Sequence, residues 1–218
     1  DAKRTTISQF NYKKDNFFLS PYGTEGNHQY TKFIPKDQPL TIINCGRFVR
    51  DKGAYDLVEL AKKTNEKYPE KFSFQHLGHI NMDDPEMLSL YNEGKEFITF
   101  LGNVKDPVYH MKKAWALLHV SHREAGSLVL FEAKSASLPI FAWNVVGVHP
   151  FIMDGVNGYL FEQGAISELI ESMAKVSNNE ANYLELRKNS YSDYDKNFKI
   201  SAHIDHLVSR LKVLLEPN

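Results

Sequence analysis

A short charged segment, GRFVRDKG at 46–53, follows an apolar run and precedes a helical pattern. Arg47 and Lys52 place two positive charges there, and Gly46 allows the backbone to approach a ligand closely. The N-terminus of the following helix would add free N–H donors and a positive dipole. Together these groups could hold a diphosphate, although a charged turn exposed to solvent explains the same residues.

Two glutamates, Glu124 and Glu132, lie eight positions apart across a predicted loop-to-helix junction. With Ser127 as the N-cap, Glu132 is expected about one turn into the helix, with its side chain leaning back toward the N-terminus. A carboxylate there can accept hydrogen bonds from a vicinal diol such as a ribose. The small residues Ala125 and Gly126 leave room for a sugar phosphate. By spacing alone, two surface glutamates remain the simpler interpretation.

The elements that must position these residues are read from the apolar runs, which alternate with helical patterns from about residue 40. Near-continuous apolar strands separated by helices are typical of a parallel sheet covered on both faces. The sequence therefore predicts an α/β domain with a doubly wound, Rossmann-like, parallel six-stranded sheet and C-terminal helices. Ligands of such sheets bind beyond the carboxyl ends of the strands. The predicted strands lie within 41–48, 72–80, 98–104, 115–121, 139–144 and 158–162.

The two ends of the chain differ from this middle region. Residues 1–35 are rich in aromatic side chains and are predicted to be a linker or edge segment. Residues 36–192 are predicted to form the Rossmann-like domain, and 193–218 a separate C-terminal helix. Apolar residues on one face of the last helical stretch must pack against this domain or a second one. They are Ile200, Ile204, Leu207, Leu211, Leu214 and Leu215.

The composition excludes several classes of protein. The net charge of −1 over 218 residues gives no general attraction to nucleic acid. The single cysteine, Cys45, allows no intramolecular disulfide. The absence of a signal peptide and of an 18-residue apolar run predicts a cytoplasmic protein, with the inner face of the membrane as a peripheral alternative. The chain opens at Asp1 rather than methionine, as a fragment would.

Five segments carry a resemblance to a known family. They occur in the order and spacing of the retaining glycosyltransferases of the B fold (GT-B), in the large group-four family that includes capsule, lipopolysaccharide and phosphatidylinositol mannosyl transferases. The chain resembles this family from about Phe17 to about Phe161, which implies the C-terminal, donor-binding half of the GT-B fold. The segments are GRFVRDKG (46–53), FLGNV (100–104), EAGSLVLFEA (124–133), SLPIFAWNVVGV (137–148) and DGVNGYLF (154–161).

The resemblance assigns a role to each candidate site residue. It implies that Arg47, Lys52 and Glu124 are the catalytic residues, and that the two cations hold the diphosphate and stabilise the departing charge. The implied nucleotide-binding set has Glu132 on the ribose and the base near Asn103 and Val104. Its other members are Gly46, Ser127 and Leu128. The implied donor-sugar set is Glu124, Ala125, Gly126 and Ser127.

The resemblance also implies the reaction and its participants. A hexosyl group would pass from a nucleotide-diphosphate sugar to a glycan or lipid-linked acceptor with retention, in polysaccharide biosynthesis. No metal or other cofactor is expected, because Arg47 and Lys52 can stabilise the leaving diphosphate. An N-terminal acceptor domain would be the partner, joined through 17–26 and contacted by the C-terminal helix. Without that domain the chain is expected to be inactive in transfer, and no nucleic acid is expected as a partner.

The chain departs from the family pattern at two positions of the predicted sugar site. Ala125 and Ser127 stand where the family usually has glycine, which narrows the sugar pocket.

Alternative functions are a nucleotide-sugar epimerase or phosphorylase of the same fold, or a non-catalytic nucleotide-binding module. The lack of a G-x-G-x-x-G sequence leaves a dinucleotide dehydrogenase unsupported. Four histidines show no metal-ligand spacing and are interpreted as structural or surface residues: His76, His79, His119 and His122.

Overall fold

The computed structural model of the protein describes residues 39–215, apart from the side chains of 210 and 213–215. The predicted linker, 1–35, therefore lies outside the described residues. So do the first three residues of the predicted domain 36–192 and the last three of the predicted segment 193–218. The two boundaries between these three segments stay predictions.

The centre of the fold is a six-stranded parallel sheet with the strand order β3-β2-β1-β4-β5-β6. This confirms the predicted doubly wound architecture. Since β1 pairs with both β2 and β4, the strand order reverses between β1 and β4, which is where ligands of such sheets bind. The strands are β1 (Leu40–Cys45), β2 (Phe72–Leu77), β3 (Ile98–Gly102), β4 (Ala116–His119), β5 (Ile140–Trp143) and β6 (Gly158–Phe161).

Helices cover both faces of this sheet. Side chains alternate along each strand, so Ile42 and Leu118 enter one apolar layer while Ile43 and Leu117 enter the other. The strands are buried on both faces for this reason, as their near-continuous apolar sequences predicted. The helices are α1 (Ala54–Lys67), α2 (Pro85–Gly94), α3 (Pro107–Met111), α4 (Leu128–Ser135), α5 (Ile166–Ser177), α6 (Glu180–Asn197) and α7 (Ile200–Leu215).

The connection from β5 to β6 departs from the strand–helix rhythm. It contains a single 3-10 turn at His149–Phe151, with Pro150 near its start, instead of an α-helix. Its remaining residues hydrogen-bond locally. The Asp154 carboxylate accepts from the backbone of Leu160, and the Asn157 side chain accepts from the backbone of Met153. Together with backbone hydrogen bonds in the segment from Met153 to Gly158, these side chains define the loop at the edge of the sheet.

A buried ion pair holds α4 against the C-terminal helices. The ammonium of Lys134, which is fully buried, donates to the Asp193 carboxylate on α6 and to the backbone oxygen of Phe151. Burial lowers the pKa of Lys134, and the charge of Asp193 opposes that change. Because a buried charge without its partner is costly, this pair fixes the orientation of α4.

The last helix, α7, carries an exposed apolar stripe. Ile204 and Leu211 are about half exposed, and Ile200 and Val208 lie on the same side of the helix. This matches the amphipathic pattern predicted for the C-terminal stretch. No helix within residues 39–215 combines the length and apolarity needed to cross a bilayer.

Candidate functional site

Three glycine loops meet at the carboxyl end of the sheet. The Gly46 N–H donates to the Leu77 oxygen over 2.9 Å, and the Gly78 N–H donates to the Gly102 oxygen over 2.8 Å. A Cβ on Gly78, whose φ is +145°, would lie 1.7 Å from the Gly46 oxygen. The loops after β1, β2 and β3 therefore stack too closely for any side chain at Gly78. At Gly46 itself a Cβ would meet open space, as a backbone that approaches a ligand requires.

The charged turn after β1 packs against the end of β4. Its last residue, Gly53, has φ +76°, and a Cβ there would lie 1.9 Å from the Val120 oxygen. The backbone N–H of His122 donates to the Asp51 oxygen over 3.0 Å. These two contacts join the turn to the loop that carries the first glutamate, and they place Lys52 beside it.

Glu124 lies beside two basic side chains. Its Oε1 is 2.6 Å from the Lys52 Nζ and 3.4 Å from the His119 Nε2, and its side chain is 8% exposed. Burial alone would raise the pKa of Glu124, but the His119 imidazole and the Lys52 ammonium outweigh burial and lower the pKa to about 2. The carboxylate is therefore ionised throughout the physiological range.

The backbone of Glu124 is fixed by the loop after β5. A Cβ on Gly147 would lie 2.0 Å from the Glu124 oxygen and 2.8 Å from its Cβ. Only glycine fits at this contact. The loop after β5 thus fixes the backbone position of Glu124, while the turn after β1 provides Lys52, its ion-pair partner.

Glu132 has the opposite environment. It lies in the first turns of α4, is half-buried, and its carboxylate has no hydrogen bond or ion pair among residues 39–215. Burial, followed by the negative charge of Asp106, raises its pKa. Burial and the charge of Glu132 together raise the pKa of the Cys45 thiol to about 12. The Glu132 carboxylate therefore lies near the end of β1, at the same carboxyl edge of the sheet as Lys52, although α4 and α1 pack on opposite faces.

The remaining predicted nucleotide-binding residues lie on loops at this edge. Arg47 is exposed and has no side-chain partner in the described part of the chain. Asn103, which is exposed, and Val104, which packs partly on the core, directly follow β3. The edge that holds Lys52 and Glu124 thus also holds the predicted base and phosphate residues.

The predicted sugar-binding residues form the start of α4. Ser127 is the N-cap, as expected, but its hydroxyl makes no capping hydrogen bond. Ala125 is exposed, a Cβ on Gly126 would meet open space, and Leu128 is half exposed. The Leu130 N–H donates to the Ser127 oxygen, whereas the N–H groups of Leu128 and Val129 have no hydrogen bond among residues 39–215.

An Asp-x-Asp sequence, Asp193-Tyr194-Asp195, lies far from this edge along the chain. It is part of α6, where Asp193 pairs with Lys134 and Tyr194 is buried. The triplet thus has a structural use. Among residues 39–215 no group of three or more His, Cys, Asp or Glu is arranged to hold a metal ion.

Sequence reasoning assigned no role in the site to His119 or Gly147. The interpretation of the histidines as structural fits His76, which is buried and whose Nδ1 lies 2.7 Å from the Asn44 Oδ1. Burial lowers the pKa of His76 to about 4. His119 differs because its nearest polar partner is Glu124, five positions away across a loop. Neither contact follows from spacing, since each depends on how loops from different strands pack.

Comparison with known proteins adds a sequence relative and two solved structures. The capsular polysaccharide biosynthesis glycosyltransferase CapM of Staphylococcus aureus is 23% identical over 186 residues, 78% of this chain and 48% of CapM. A mutant of S. aureus TarM, in complex with fondaparinux, α-GlcNAc-glycerol and UDP, superposes with a TM-score of 0.81 at 18% identity, covering 95% of this chain and 41% of TarM. The structure of Anabaena HepE in complex with UDP-glucose superposes with a TM-score of 0.70 at 18% identity, covering 80% of this chain and 49% of HepE.

These matches agree in extent and in fold. The chain spans about half the length of the curated relatives it matches, and the two structural likenesses show that it has the fold of one half of those larger proteins. A sequence profile described as Glycosyl transferases group 1 matches residues 28–193, most of the chain. The chain belongs to the glycosyl transferases group 1 family.

Proposed function

We propose that the protein is the donor-binding half of a retaining glycosyltransferase. It binds a nucleotide-diphosphate sugar, from which a hexosyl group is transferred to a glycan or lipid-linked acceptor. The observation that carries this proposal is the convergence at one edge of a Lys52–Glu124 pair with a half-buried, unpaired Glu132. That edge lies where the strand order reverses.

The diphosphate would lie against the turn after β1 and the start of α4. Arg47 has an unpaired guanidinium, Lys52 is about one-quarter exposed, and the N-terminus of α4 offers free N–H donors. As the glycosidic bond breaks, the diphosphate gains negative charge that these groups stabilise. This proposal uses no metal or other cofactor. Its check is full nucleotide binding in excess EDTA.

The ribose would lie over Glu132. A carboxylate that burial has partly removed from water gains most from a ligand that supplies hydrogen-bond donors. The two hydroxyls of a ribose are such donors. They would favour the ionised form of Glu132, whose pKa is raised in the protein without ligand. The base would then lie toward Asn103 and Val104, beyond β3.

The family relatives support the class of donor and acceptor. CapM is named for capsular polysaccharide biosynthesis, and the HepE structure contains UDP-glucose. The acceptor and the other wall of the cleft would come from an N-terminal domain joined to this one, so the present chain alone should not transfer sugar. We place the reaction in the cytoplasm, where nucleotide sugars are made, either free or peripherally at the inner face of the membrane.

Retention follows from front-face attack, in which the acceptor hydroxyl approaches beside the leaving diphosphate. A phosphate oxygen then accepts the proton of that hydroxyl, and no protein general base is assigned. The anomeric configuration of the product, measured by NMR on the protein with its acceptor domain, tests this part. An inverted product would contradict it.

Thermal unfolding in the presence of nucleotides tests the proposal as a whole. At a ligand concentration of 100 Kd, UDP, GDP or ADP should stabilise the chain by about 2.7 kcal/mol. Glu132→Gln is the matched control, since it preserves shape and removes the acceptor charge. No shift with any nucleotide or nucleotide sugar would contradict the proposal. A shift with diphosphates, without sugar binding or transfer in the protein with its acceptor domain, would indicate a non-catalytic module.

A further inference from the structure

Two buried histidines lie near the carboxyl ends of strands that flank β1. His76, on β2, is 1% exposed, and His119, the last residue of β4, is 3% exposed. The Nε2 of each is buried without a hydrogen bond in the described residues. They differ in what lies nearby, because His76 is bonded through Nδ1 to Asn44 while the Nε2 of His119 is 3.4 Å from Glu124.

The contacts of His119 and Lys52 fall on the same oxygen of Glu124. Lys52 Nζ donates to Oε1 over 2.6 Å, and His119 approaches Oε1 from β4. Oε2 has no partner among residues 39–215. Because Gly147 also fixes the Glu124 backbone, the carboxylate is constrained from three elements.

We propose that His119 is a positioning residue for the transfer site, which holds the Glu124 carboxylate so that Oε2 meets the donor sugar. This inference rests on the proposed function. His119 is itself too buried to touch a ligand. Lys52 alone is a poor tether, because its long side chain is flexible and would be shared with the diphosphate. The imidazole supplies the rigid second contact that keeps the carboxylate in place when Lys52 turns toward phosphate.

Substitutions at His119 test this role with the 218-residue chain. His119→Leu removes the contact, His119→Gln returns a donor near the position of Nε2, and His119→Asn returns one near Nδ1 only. Calorimetry should compare UDP with UDP-glucose, GDP with GDP-mannose and ADP with ADP-glucose, and use whichever pair binds. The measured quantity is the ratio of the dissociation constants of the nucleotide sugar and the nucleoside diphosphate. A loss of fold stability weakens the binding of both ligands by the same factor and therefore leaves this ratio unchanged.

The expected result is selective. His119→Leu and His119→Asn should weaken nucleotide-sugar binding about tenfold, equivalent to about 1.4 kcal/mol, and change diphosphate binding less than about twofold. His119→Gln should restore most of the loss. In a Glu124→Gln background, His119→Leu should have no further effect, because the carboxylate that it positions is gone. The matched control, His76→Gln, should leave both affinities unchanged.

Three outcomes would overturn the inference while leaving the proposed function intact. His119→Leu could weaken both ligands equally, it could keep its full effect in the Glu124→Gln background, or Glu124→Gln could leave nucleotide-sugar binding unchanged. If His119→Leu does not fold, the difference between the glutamine and asparagine variants decides in its place. If the unmutated chain binds no nucleotide or nucleotide sugar, the proposed function fails first, and this inference fails with it.

Discussion

Glu124 and Glu132 have the same side chain, lie eight positions apart, and have opposite surroundings. The negative charge of Glu124 is balanced by Lys52 within the protein. Contacts from His119 and Lys52 lower the pKa of Glu124 to about 2 against the effect of burial. Glu132 has no such partner in the described residues, and burial raises its pKa. The Glu124 carboxylate is therefore stabilised as an anion before any ligand binds, whereas the anionic form of Glu132 is destabilised by its surroundings.

The difference shows how one edge of a sheet can divide two tasks. A preorganised charge such as the ionised Glu124 carboxylate needs no rearrangement when charge develops in a reaction. An unpaired, partly desolvated carboxylate such as Glu132 instead gains its stabilisation from a bound ligand. The edge thus joins a region suited to the chemistry to a region suited to binding.

Removing the unpaired carboxylate should have the largest effect on binding. Glu132→Ala should raise the Kd for nucleoside diphosphates by about 100-fold, since two charge-assisted hydrogen bonds of at least about 1.5 kcal/mol each are lost. Isothermal calorimetry measures this directly. Glu124→Ala is the paired control and should leave diphosphate affinity within about threefold. If both variants bind diphosphate as well as the parent chain, the ribose role of Glu132 is wrong.

The two carboxylates should also affect stability with opposite pH dependence. The lowered pKa of Glu124 gives stability that is present above its ordinary value of 4.5 and lost as the pH falls through about 2. The raised pKa of Glu132 gives stability that is present below 4.5 and lost as the pH rises through the raised value. Glu124→Gln should therefore destabilise the chain at pH 7 by at most about 3 kcal/mol, and Glu132→Gln should not destabilise it.

Urea unfolding at pH 7 and at pH 2.5 measures both variants against the parent chain. The deficit of Glu124→Gln should shrink at the lower pH, because the parent carboxylate is then partly protonated. An equal deficit at both pH values would mean that Glu124 is not held as a charged group.

The fold followed from sequence more completely than the site. The apolar runs predicted all six strands and their parallel arrangement, because burial on both faces leaves a distinct apolar pattern. The β5–β6 connection broke the rhythm, since its order comes from the side chains of Asp154 and Asn157 rather than from helical spacing. Local hydrogen bonds of this kind leave no periodic signal.

At the site, residue types and spacing indicated Lys52, Glu124 and Glu132 as candidates, but could not say which glutamate was paired. That depends on Gly53 packing against β4 and Gly147 packing against the Glu124 backbone, both contacts between distant parts of the chain. His119 was missed for the same reason. Its contact with Glu124 forms only in the folded chain, where the loop after β4 brings the glutamate back to the end of that strand.

The backbone contact that fixes Glu124 gives a smaller test of the same contrast. Gly147→Ala should cost about 1–3 kcal/mol of unfolding free energy, since its Cβ would lie 2.0 Å from the Glu124 oxygen. It should also weaken nucleotide-sugar binding more than diphosphate binding. Gly126→Ala is the matched control, because a Cβ there would meet nothing within 4 Å. Equal stability of the two variants would contradict the steric role of Gly147.

The smallest effect is expected at the exposed cation of the binding region. Arg47→Ala should weaken diphosphate binding about tenfold, near the lower end for a charge-assisted hydrogen bond, because solvent screens an exposed guanidinium. It should leave nucleoside binding unchanged. Arg50, in the same turn, is already paired with Glu86 and packs over the Tyr55 ring, so Arg50→Ala is the matched control. Equal losses for nucleoside and diphosphate would refute the phosphate role. Equal effects of the two arginines would show that general positive charge, rather than an unpaired guanidinium, attracts the ligand.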